Sequence, residues 1–463
     1  MFCSASWSFE HYLPLDRREK LIIDQVIPSL HAIRLAWSGG SSPWTVWYRV
    51  KDSEEAWRPL TATEPHAVLS DLAAYIEYEF RVESGADKSL TGYARTGEVP
   101  GTVVNYLHPQ DPKYAFSGQH LCSPSLLLHP DGYLLASTDL YDNGTPQNLT
   151  LIFRSDDGGK SWYHYTELFP CFWGSLFLHR GEVYMLSTST EYGDLLIGKS
   201  SDGGKTWGAP TVLARGSCHR SAMGWHKSGM PVTEYKGRLW CGVDYGSHQL
   251  GRHMNCLASA DASGDLLDAG NWAVTDPLAF DPAWEGAVKC DTRGCIEGNA
   301  VVSPDGKICN FLRYSTDLGD PQYGLAAVLE GDPEHPDQPL KFLKFVPFPG
   351  NLSKFDVKWD AESGRYFSIV SRITGRGWVK ARTILSLISS ADLEHWSVLC
   401  DLVNYENADP HKVGFQYVSF LFDGSDLLYL SRTAFNGAQN FHDNNYLTFD
   451  RVSDFRNLLQ NEQ

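Results

Sequence analysis

Acidic, basic and phenolic side chains recur at two kinds of position in this chain, just before an apolar run and just after the next one. Six residues stand before the first runs: Cys122, Trp173, His226, Glu297, Lys354 and Tyr417. Seven stand after the second runs: Asp139, Asp142, Glu191, Asp244, Arg313, Arg372 and Arg432. Carboxylates, imidazoles and phenols transfer protons, and guanidinium groups bind anions through paired hydrogen bonds. A fold that gathers these positions on one face would hold a site for acid–base chemistry.

The elements that carry these residues are six copies of one pattern, in which two apolar strands flank a tight turn. The copies begin near residues 124, 174, 231, 298, 354 and 417. An all-strand unit of this length cannot bury both of its faces alone, and such a repeat is typical of a propeller blade. Six copies predict a six-bladed β-propeller over residues 105–456, with the innermost strands around a central axis. The positions named above then meet at one mouth of that axis.

A second repeat lies between the third and fourth strands of the predicted blades. The stretch "RSDDGGKSW" at 154–162 returns as "KSSDGGKTW" at 199–207, and in weaker form as "SADLEHW" at 390–396. A fainter copy starts at Ser259 and Asp261. The aspartate can bind turn backbone and the glycine supplies an unusual dihedral angle, so this repeat predicts a structural turn. A calcium loop would need more carboxylates than these turns contain.

Residues 25–98 form a separate unit of short alternating runs, which predicts a small β-sandwich. In "LSDLAAYIEYEFRV", Leu72, Tyr78, Arg81 and Val82 match the tyrosine corner of fibronectin type III domains, although Ala74 and Ile76 replace its usual Pro and Thr. The unit resembles such a domain, and we interpret it as a spacer or packing platform.

Composition limits the classes of partner. The net charge of −17 argues against nucleic acid and anionic membranes as partners. No run of 18 apolar residues is present, and the first 20 residues have no basic or apolar segment of a signal peptide. These features predict a cytoplasmic protein whose ten cysteines remain thiols.

The repeated turns and the hairpin ends together resemble the sialidase superfamily over residues 116–451. In "IEGNAVVSPDGKICNFLR", Glu297 and Arg313 match a Glu and an Arg at the start and end of that family's fourth-blade hairpin. The resemblance implies that Tyr417 is the nucleophile, that Glu297 takes its proton, and that Arg313 and Arg382 bind an acidic group. It also implies an acid/base aspartate after the first hairpin, for which Asp139 and Asp142 are candidates.

One position departs from the family. The first blade of sialidases begins with an Arg that completes a triad around the substrate carboxylate, and Cys122 stands there in "LCSPSLLLHPDG". A thiol cannot replace a two-pronged Arg–carboxylate pair. The sequence therefore predicts an incomplete arginine set and little hydrolysis of sialosides.

Further candidates surround the predicted mouth. Trp173 could stack on a sugar, and we expect His226, Arg372, Arg432 and His442 to bind substrate. Several of these also have structural interpretations: Tyr417 as a core ring, Glu297 as an ion-pair partner, and Arg372 and Arg432 as links between blades. The loops of the third blade add His219, Arg220, His248, Arg252 and His253, but no metal-binding motif, so neither metal nor cofactor is predicted.

The leading hypothesis is an exo-acting glycoside hydrolase that acts on an acidic glycan or oligosaccharide. Two alternatives remain. A polysaccharide lyase would use Tyr417 or His442 to abstract the proton next to a uronate carboxylate. A non-catalytic propeller would bind glycan without turnover.

Overall fold

The structure is a computed structural model that describes residues 21–217, 222–288, 294–314, 324–350, 352–374, 378 and 380–461. Strands dominate these residues, and the helices among them are two short 3-10 segments, Ala269–Asn271 and Phe455–Asn461. The predicted all-β fold, a β-sandwich followed by a six-bladed β-propeller, is confirmed. Within the described residues, no helix is long and apolar enough to cross a membrane.

The N-terminal β-sandwich consists of two antiparallel sheets, β1–β2–β5 and a second sheet of β3, β4, β6, β7 and β8. Its strands are β1 (Leu21–Pro28), β2 (Ile33–Gly39), β3 (Trp44–Val50), β4 (Arg58–Ala62), β5 (His66–Leu69), β6 (Glu77–Ser84), β7 (Asp87–Lys88) and β8 (Gly92–Arg95). Burial alternates along β6, so that Tyr78, Phe80 and Val82 pack in the core. The Tyr78 hydroxyl accepts a hydrogen bond from the backbone N–H of Ala73 at 2.9 Å, which ties β6 to the preceding loop. The predicted limit at residue 25 falls inside β1.

A ninth strand, β9 (Thr102–Tyr106), precedes the six propeller sheets, which follow in chain order. Blade one contains β10 (His120–Leu128), β11 (Leu134–Tyr141), β12 (Thr150–Ser155) and β13 (Tyr163–Leu168); blade two contains β14 (Phe172–His179), β15 (Glu182–Thr188), β16 (Leu195–Ser200) and β17 (Thr211–Ala214). Blade three contains β18 (Gly224–His226), β19 (Thr233–Tyr235), β20 (Arg238–Ser247), β21 (Arg252–Asp261), β22 (Trp272–Val274) and β23 (Leu278–Ala279). Blade four contains β24 (Cys295–Val302), β25 (Ile308–Tyr314), β26 (Leu325–Gly331) and β27 (Lys341–Pro347); blade five contains β28 (Val357–Asp360), β29 (Arg365–Ser371), β30 (Ile384–Ser390) and β31 (Trp396–Asn404). Blade six contains β32 (Gly414–Asp423), β33 (Asp426–Ala434) and β34 (Tyr446–Val452).

Blade six is completed by a strand from the other end of the propeller sequence. β9 pairs antiparallel with β34, with Thr102 opposite Phe449 and Tyr106 opposite Tyr446. The ring therefore closes through backbone hydrogen bonds between the first and last propeller strands. The predicted propeller boundary at residue 105 falls inside β9.

The repeated turns connect the third and fourth strands of their blades, and their aspartates bind the turn itself. Asp202 accepts hydrogen bonds from the Thr206 backbone N–H at 2.8 Å and the Thr206 hydroxyl at 2.6 Å. Asp157 makes the matching pair with Ser161 at 2.9 and 2.6 Å. In the weaker copy, His395 donates to Asp392 in place of the hydroxyl residue. These carboxylates serve the fold and lie away from the central cavity described below.

The sandwich contacts the propeller at the first of these turns. Gln25 Nε2 and an Arg34 guanidinium nitrogen both donate to the backbone carbonyl of Trp162, at 3.2 and 2.7 Å. Gln25 also donates to the carbonyl of Val104 in β9 at 2.7 Å. The sandwich is thus bonded to both blade one and the closing strand.

Candidate active site

A cavity of about 250 Å³ lies at the central mouth of the propeller, and its walls have two distinct chemical characters. One half is cationic and phenolic, with Cys122, Tyr141, Arg313, Lys380, Arg382, Tyr417, Arg432, Phe441 and His442. The other half is aromatic and imidazole-rich, with Trp173, Glu191, Tyr192, His226, His248 and His253, and Glu297 and Ile296 lie between them. Four positive side chains against two carboxylates favour an anionic ligand in spite of the negative net charge of the chain.

Backbone irregularities aim several of these residues into the cavity. Four inner strands lose register at the residue that lines the mouth: β10 at Cys122, β14 at Trp173, β24 at Glu297 and β32 at Tyr417. A β-bulge of this kind redirects a side chain away from the normal strand alternation. Three of the four have positive φ angles, 52° at Trp173, 57° at Glu297 and 53° at Tyr417. Such angles are unfavourable for non-glycine residues and cluster at functional sites.

Tyr417, Glu297 and Arg313 form the centre of the site. Arg313 Nη1 donates to Glu297 Oε2 at 2.8 Å and to the Tyr417 hydroxyl at 3.3 Å. Ser228 Oγ donates to the other oxygen of Glu297 at 2.6 Å. All three central side chains are at least nine-tenths buried. The site therefore holds a phenol, a carboxylate and a guanidinium group in mutual contact.

The ionisation states follow from this packing. Burial would raise the pKa of Glu297, but the charges of Arg313 and His226 and the hydrogen bonds from Ser228 and Arg313 lower that pKa to about 2. Burial raises the pKa of Tyr417, and the nearby Glu297 charge raises it further, against the opposing effect of the arginines. At neutral pH the pair is therefore a carboxylate beside a protonated phenol.

The resemblance implies a proton transfer from Tyr417 to Glu297, which requires their oxygens to lie close together. Within the described part of the chain, no hydrogen bond joins the two side chains, and Arg313 Nη1 bridges them instead. The guanidinium nitrogen lies within hydrogen-bond distance of both oxygens. Glu297 can accept the phenol proton only after a small shift in this arrangement.

Arg382 and Arg432 flank the ring of Tyr417. The guanidinium carbons lie 5.8 and 4.9 Å from the ring centroid. Arg382 donates to the Gln416 side chain and to the Leu352 carbonyl at 2.9 Å. These bonds fix Arg382 beside the phenol.

Arg432 lies next to the position where an arginine was missing from the sequence pattern. Its Nη1 is 3.4 Å from Cys122 Sγ, and its Nε donates to Asn444 Oδ1 at 2.7 Å. Burial raises the pKa of Cys122 to about 11, so the thiol is neutral. Cys122 thus lines the cavity at the position where the family has an arginine, and Arg432 of blade six is a third buried arginine there, beside Arg313 and Arg382.

Arg372 was predicted to bind substrate, and the structure places it elsewhere. It makes a two-pronged salt bridge with Asp401 at 2.7 and 2.8 Å and donates to Ser386 Oγ at 2.9 Å. All three residues belong to blade five, and Arg372 does not line the cavity. Arg372 therefore has a structural role, as in the alternative interpretation, but it links strands within blade five and does not link two blades.

Neither candidate for the acid/base aspartate reaches the cavity. Asp139 is fully buried at the end of β11, where it accepts a hydrogen bond from Thr150 Oγ1 at 2.6 Å. Burial raises its pKa to about 7, against the opposing effect of that bond. Asp142 accepts from the backbone N–H of Gly144 at 3.1 Å in a surface turn. We therefore correct the acid/base assignment of both residues on the basis of their placement.

The aromatic half is built around His226. Its ring lies 4.2 Å from that of Trp173, 5.7 Å from that of Tyr192 and 5.1 Å from that of His253. Its Nδ1 lies 3.0 Å from Asp244 Oδ2, and Tyr192 is hydrogen-bonded to His253 Nε2 at 3.1 Å. Trp173 and His226 thus line the cavity, as predicted, and their rings pack against each other.

His442 lines the cationic half from the polar loop before β34. Its Nδ1 lies 2.8 Å from Asp443 Oδ1, and its carbonyl accepts a hydrogen bond from Arg432 at 2.6 Å. Burial and the charge of Arg432 lower the pKa of His442 to about 4, so the imidazole is neutral at pH 7. The same loop contributes Phe441 to the wall.

Several lining residues were missed at the sequence level. Tyr141, Tyr192, Phe441 and Lys380 have no distinguishing spacing, although Tyr141 ends the second strand of blade one and Tyr192 follows the second strand of blade two. His248 and His253 line the cavity, whereas His219 and Arg220 lie outside the described residues. The described residues contain no group of three or more His, Cys, Asp and Glu side chains arranged to hold a metal ion.

Comparison with known proteins identifies the fold. The sequence matches no family model and no curated protein. A Trypanosoma rangeli sialidase in complex with the inhibitor DANA is similar in structure, with TM-score 0.51, 14% identity, and coverage of 78% of this chain and 60% of that one. A leech intramolecular trans-sialidase has TM-score 0.50 and 11% identity, over 95% of this chain and 92% of that one. A Penicillium chrysogenum α-L-arabinanase complexed with arabinobiose has TM-score 0.50 and 15% identity, over 77% and 98%. The chain has the fold of sialidase-like propellers.

Proposed function

We propose that the protein is an exo-acting glycoside hydrolase that removes a terminal acidic sugar from a glycan. The observation that carries this proposal is the buried contact of Arg313 with both Glu297 and Tyr417. A phenol beside a carboxylate suits nucleophilic attack, because the carboxylate can remove the phenol proton as the oxygen attacks. A tyrosine nucleophile of this kind is a known exception among glycosidases that otherwise use two carboxylates.

The size of the cavity supports action on a chain end. Its volume of about 250 Å³ is below the ~300–1,000 Å³ typical of sites for drug-sized ligands. It has room for one small ring, and aromatic groups such as Trp173 are suited to stack on a sugar face. A single enclosed sugar implies cleavage at a terminus.

The charge of the cavity supports an acidic sugar. Arg313, Arg382 and Arg432 surround the Tyr417 hydroxyl and ring, and each is more than nine-tenths buried. Guanidinium groups in a water-poor site bind carboxylates through strong charge-assisted bonds. The similar structures hold ligands of two kinds, the neutral arabinobiose and the sialidase inhibitor DANA. The three arginines favour an acidic ligand, either a uronic or an ulosonic acid.

The test is a panel of aryl glycosides of uronic acids, ulosonic acids and matched neutral sugars. We expect hydrolysis of at least one acidic member and none of its neutral counterpart. Arg432→Lys should raise KM for the acidic substrate about 10- to 100-fold, because lysine keeps the charge but loses the paired donors. Arg372→Lys is the matched control and should leave KM unchanged. Preference for a neutral glycoside, or equal effects of the two lysine variants, would contradict the proposal.

One observation favours a lyase as the second candidate. His442 is a neutral imidazole oriented by Asp443, and Arg432 lies beside it. A base next to a carboxylate-binding arginine is the arrangement that proton abstraction from a uronate needs. A lyase would release an unsaturated uronide, which absorbs ultraviolet light, whereas a hydrolase would not. Binding of acidic oligosaccharides without either product would indicate a non-catalytic propeller.

A further inference from the structure

The proposed hydrolysis needs a group that protonates the leaving oxygen, and the two aspartates expected to do so lie outside the cavity. Asp139 is fully buried and Asp142 is bound in a turn. Without such an acid, the aglycone would leave as an alkoxide, which is a poor leaving group. The acid must therefore be another titratable side chain that lines the cavity.

His226 is held in place by a row of paired residues on three strands. It lies directly opposite Asp244 in the pairing of β18 with β20, and Asp244 lies opposite Asn255 in the pairing of β20 with β21. Asn255 donates to Asp244 Oδ1 at 2.8 Å, which leaves Asp244 Oδ2 for the imidazole. Three neighbouring strands thus align one row of side chains that ends at the cavity wall.

The same carboxylate connects His226 to the centre of the site. Asp244 Oδ2 also accepts a hydrogen bond from the backbone N–H of Glu297 at 2.9 Å. It therefore stabilises the bulge at which Glu297 has its positive φ angle while it orients the imidazole. The His226 ring is close enough to Glu297 for its charge to lower the pKa of that carboxyl.

The hydrogen bond at Nδ1 determines what the other nitrogen can do. A carboxylate at Nδ1 accepts a hydrogen bond from that nitrogen, so Nε2 is the atom left for the ligand. Among the described residues, Nε2 of His226 has no hydrogen-bond partner, and the residue lines the cavity. Trp173 and Tyr192 pack against the ring and prevent it from turning.

We propose that His226 is the general acid and base of this hydrolysis and that Asp244 is its positioning residue. The assignment rests on the proposed function. In the first step the Tyr417 oxygen bonds to the anomeric carbon and gives its proton to Glu297. The bond to the aglycone breaks, and the aglycone oxygen takes its electron pair and a proton from Nε2 of the imidazolium. In the second step neutral Nε2 takes a proton from water, the water oxygen bonds to the anomeric carbon, and Tyr417 leaves and recovers its proton from Glu297.

Glu191 is the rival acid, since its side chain also lines the aromatic half of the cavity. The two assignments differ in what they predict for substrates with different leaving groups. A nitrophenol leaves without protonation, whereas a simple alcohol requires it. Loss of the true acid therefore affects an alkyl glycoside far more than a nitrophenyl glycoside of the same sugar, and a general structural defect affects both equally.

The experiment compares His226→Gln, Asp244→Asn, Glu191→Gln and Tyr417→Phe on such a pair of substrates. His226→Gln should lose on the order of 10²- to 10⁴-fold in turnover of the alkyl glycoside. On the nitrophenyl glycoside it should release one equivalent of nitrophenol rapidly and then turn over slowly. Azide, which needs no base, should accelerate that slow phase and yield a glycosyl azide. Asp244→Asn should also lose more activity on the alkyl glycoside than on the nitrophenyl glycoside, but to a smaller extent.

The outcomes separate the two proposals. The assignment of His226 would be overturned if His226→Gln lost activity equally on both substrates. It would also be overturned if Glu191→Gln, and not His226→Gln, lost activity mainly on the alkyl glycoside. Either result would leave the proposed hydrolase function intact. Tyr417→Phe should lose both activities equally, and thermal unfolding of each variant reports its folding. If the unmodified protein hydrolyses no glycoside of the panel, the proposed function fails, and the assignment of His226 fails with it.

Discussion

Arg313 Nη1 is within hydrogen-bond distance of both a carboxylate oxygen and a phenol oxygen, so one nitrogen sets the charge of the pair. Its positive charge keeps Glu297 ionised despite burial, which an isolated buried carboxylate would resist. It also stabilises any negative charge that develops on Tyr417 during attack. Arg313 therefore acts on both Glu297 and Tyr417.

The first prediction concerns this pair. Tyr417→Phe removes one oxygen and should reduce turnover on the order of 10²-fold or more, with little change in thermal stability. Glu297→Gln should cost about as much, and the double variant little more than either single one, because the two act as a unit. Steady-state kinetics and thermal unfolding measure both quantities.

Tyr141→Phe is the matched control for this prediction. Tyr141 also lines the cavity, but its hydroxyl donates to Asn143 at 2.7 Å rather than to the central pair. We expect it to retain near-normal turnover. Additive losses in the double variant, or an equal loss in Tyr141→Phe, would contradict the role of the pair.

Residue types at hairpin ends were enough to predict that Glu297, Arg313 and Tyr417 lie at one mouth of the propeller, and the family resemblance implied their contact. They were not enough for Arg372, which stands just after β29 and pairs with Asp401 of β31, the outermost strand of the same blade, two strands away from β29. The direction of a side chain just beyond a strand depends on local backbone angles that the residue type does not determine. The acid/base aspartates failed for other reasons: Asp139 still belongs to β11 and points towards blade two, and Asp142 is held in the turn after that strand.

At the scale of strands and turns, the repeated turns could be predicted from the sequence and the β-bulges could not. The repeated turns were predicted because each one satisfies its own backbone through residues within a few positions. The bulges were not, because Trp, Glu and Tyr have no preference for the positive φ angles that they adopt here, at ~1–3 kcal/mol each. Propensity therefore indicates elements that stabilise themselves and misses those that the surrounding blades impose.

The second prediction concerns the turns. Asp202→Ala should lower the free energy of unfolding by about 1–2 kcal/mol, since it removes charge-assisted bonds from a partly solvated site. Asp157→Ala should behave alike, and activity per folded molecule should not change. Asp156→Ala is the matched control, because its carboxylate pairs with Arg154 at the surface. Chemical denaturation measures the difference, and loss of activity without loss of stability would contradict it.

The effect of Asp202 should also depend on pH in one direction. The hydrogen bonds from Thr206 lower the pKa of Asp202 to about 2, below the ~3.9 of an unfolded chain. Its stabilisation is therefore full above pH ~4 and is lost as the pH falls towards 2. The difference between the unmodified protein and Asp202→Ala should shrink over that interval.

At the scale of the whole molecule, stability depends on a pairing between distant parts of the sequence. β9 and β34 are neighbours in space, and Tyr106 and Tyr446 pack with ring centroids 4.7 Å apart within the core of the sandwich. The repeat pattern predicted six blades but not which strand completes the sixth, because β9 alone has no partner signal. The sandwich and the propeller thus share the residues that close the ring.

The third prediction compares two truncated chains. A chain that begins at residue 99 keeps β9 and should fold, with a lower Tm because it loses the bonds from Gln25 and Arg34 to the Trp162 carbonyl. A chain that begins at residue 108 leaves the edge of β34 unpaired and should aggregate. Size-exclusion chromatography and thermal unfolding distinguish them. A monomeric shorter chain as stable as the longer one would show that β9 is dispensable.

The closing strand also has a consequence for biosynthesis. β9 emerges from the ribosome early, but β34, its partner, is made only after the other blades. At roughly 5–20 residues per second, β9 waits on the order of tens of seconds with an open edge. The sandwich is complete by then, and Gln25 of β1 already reaches the carbonyl of Val104. We expect the sandwich to hold β9 for the nascent chain, so that defects in it would reduce the yield of folded protein more than its specific activity.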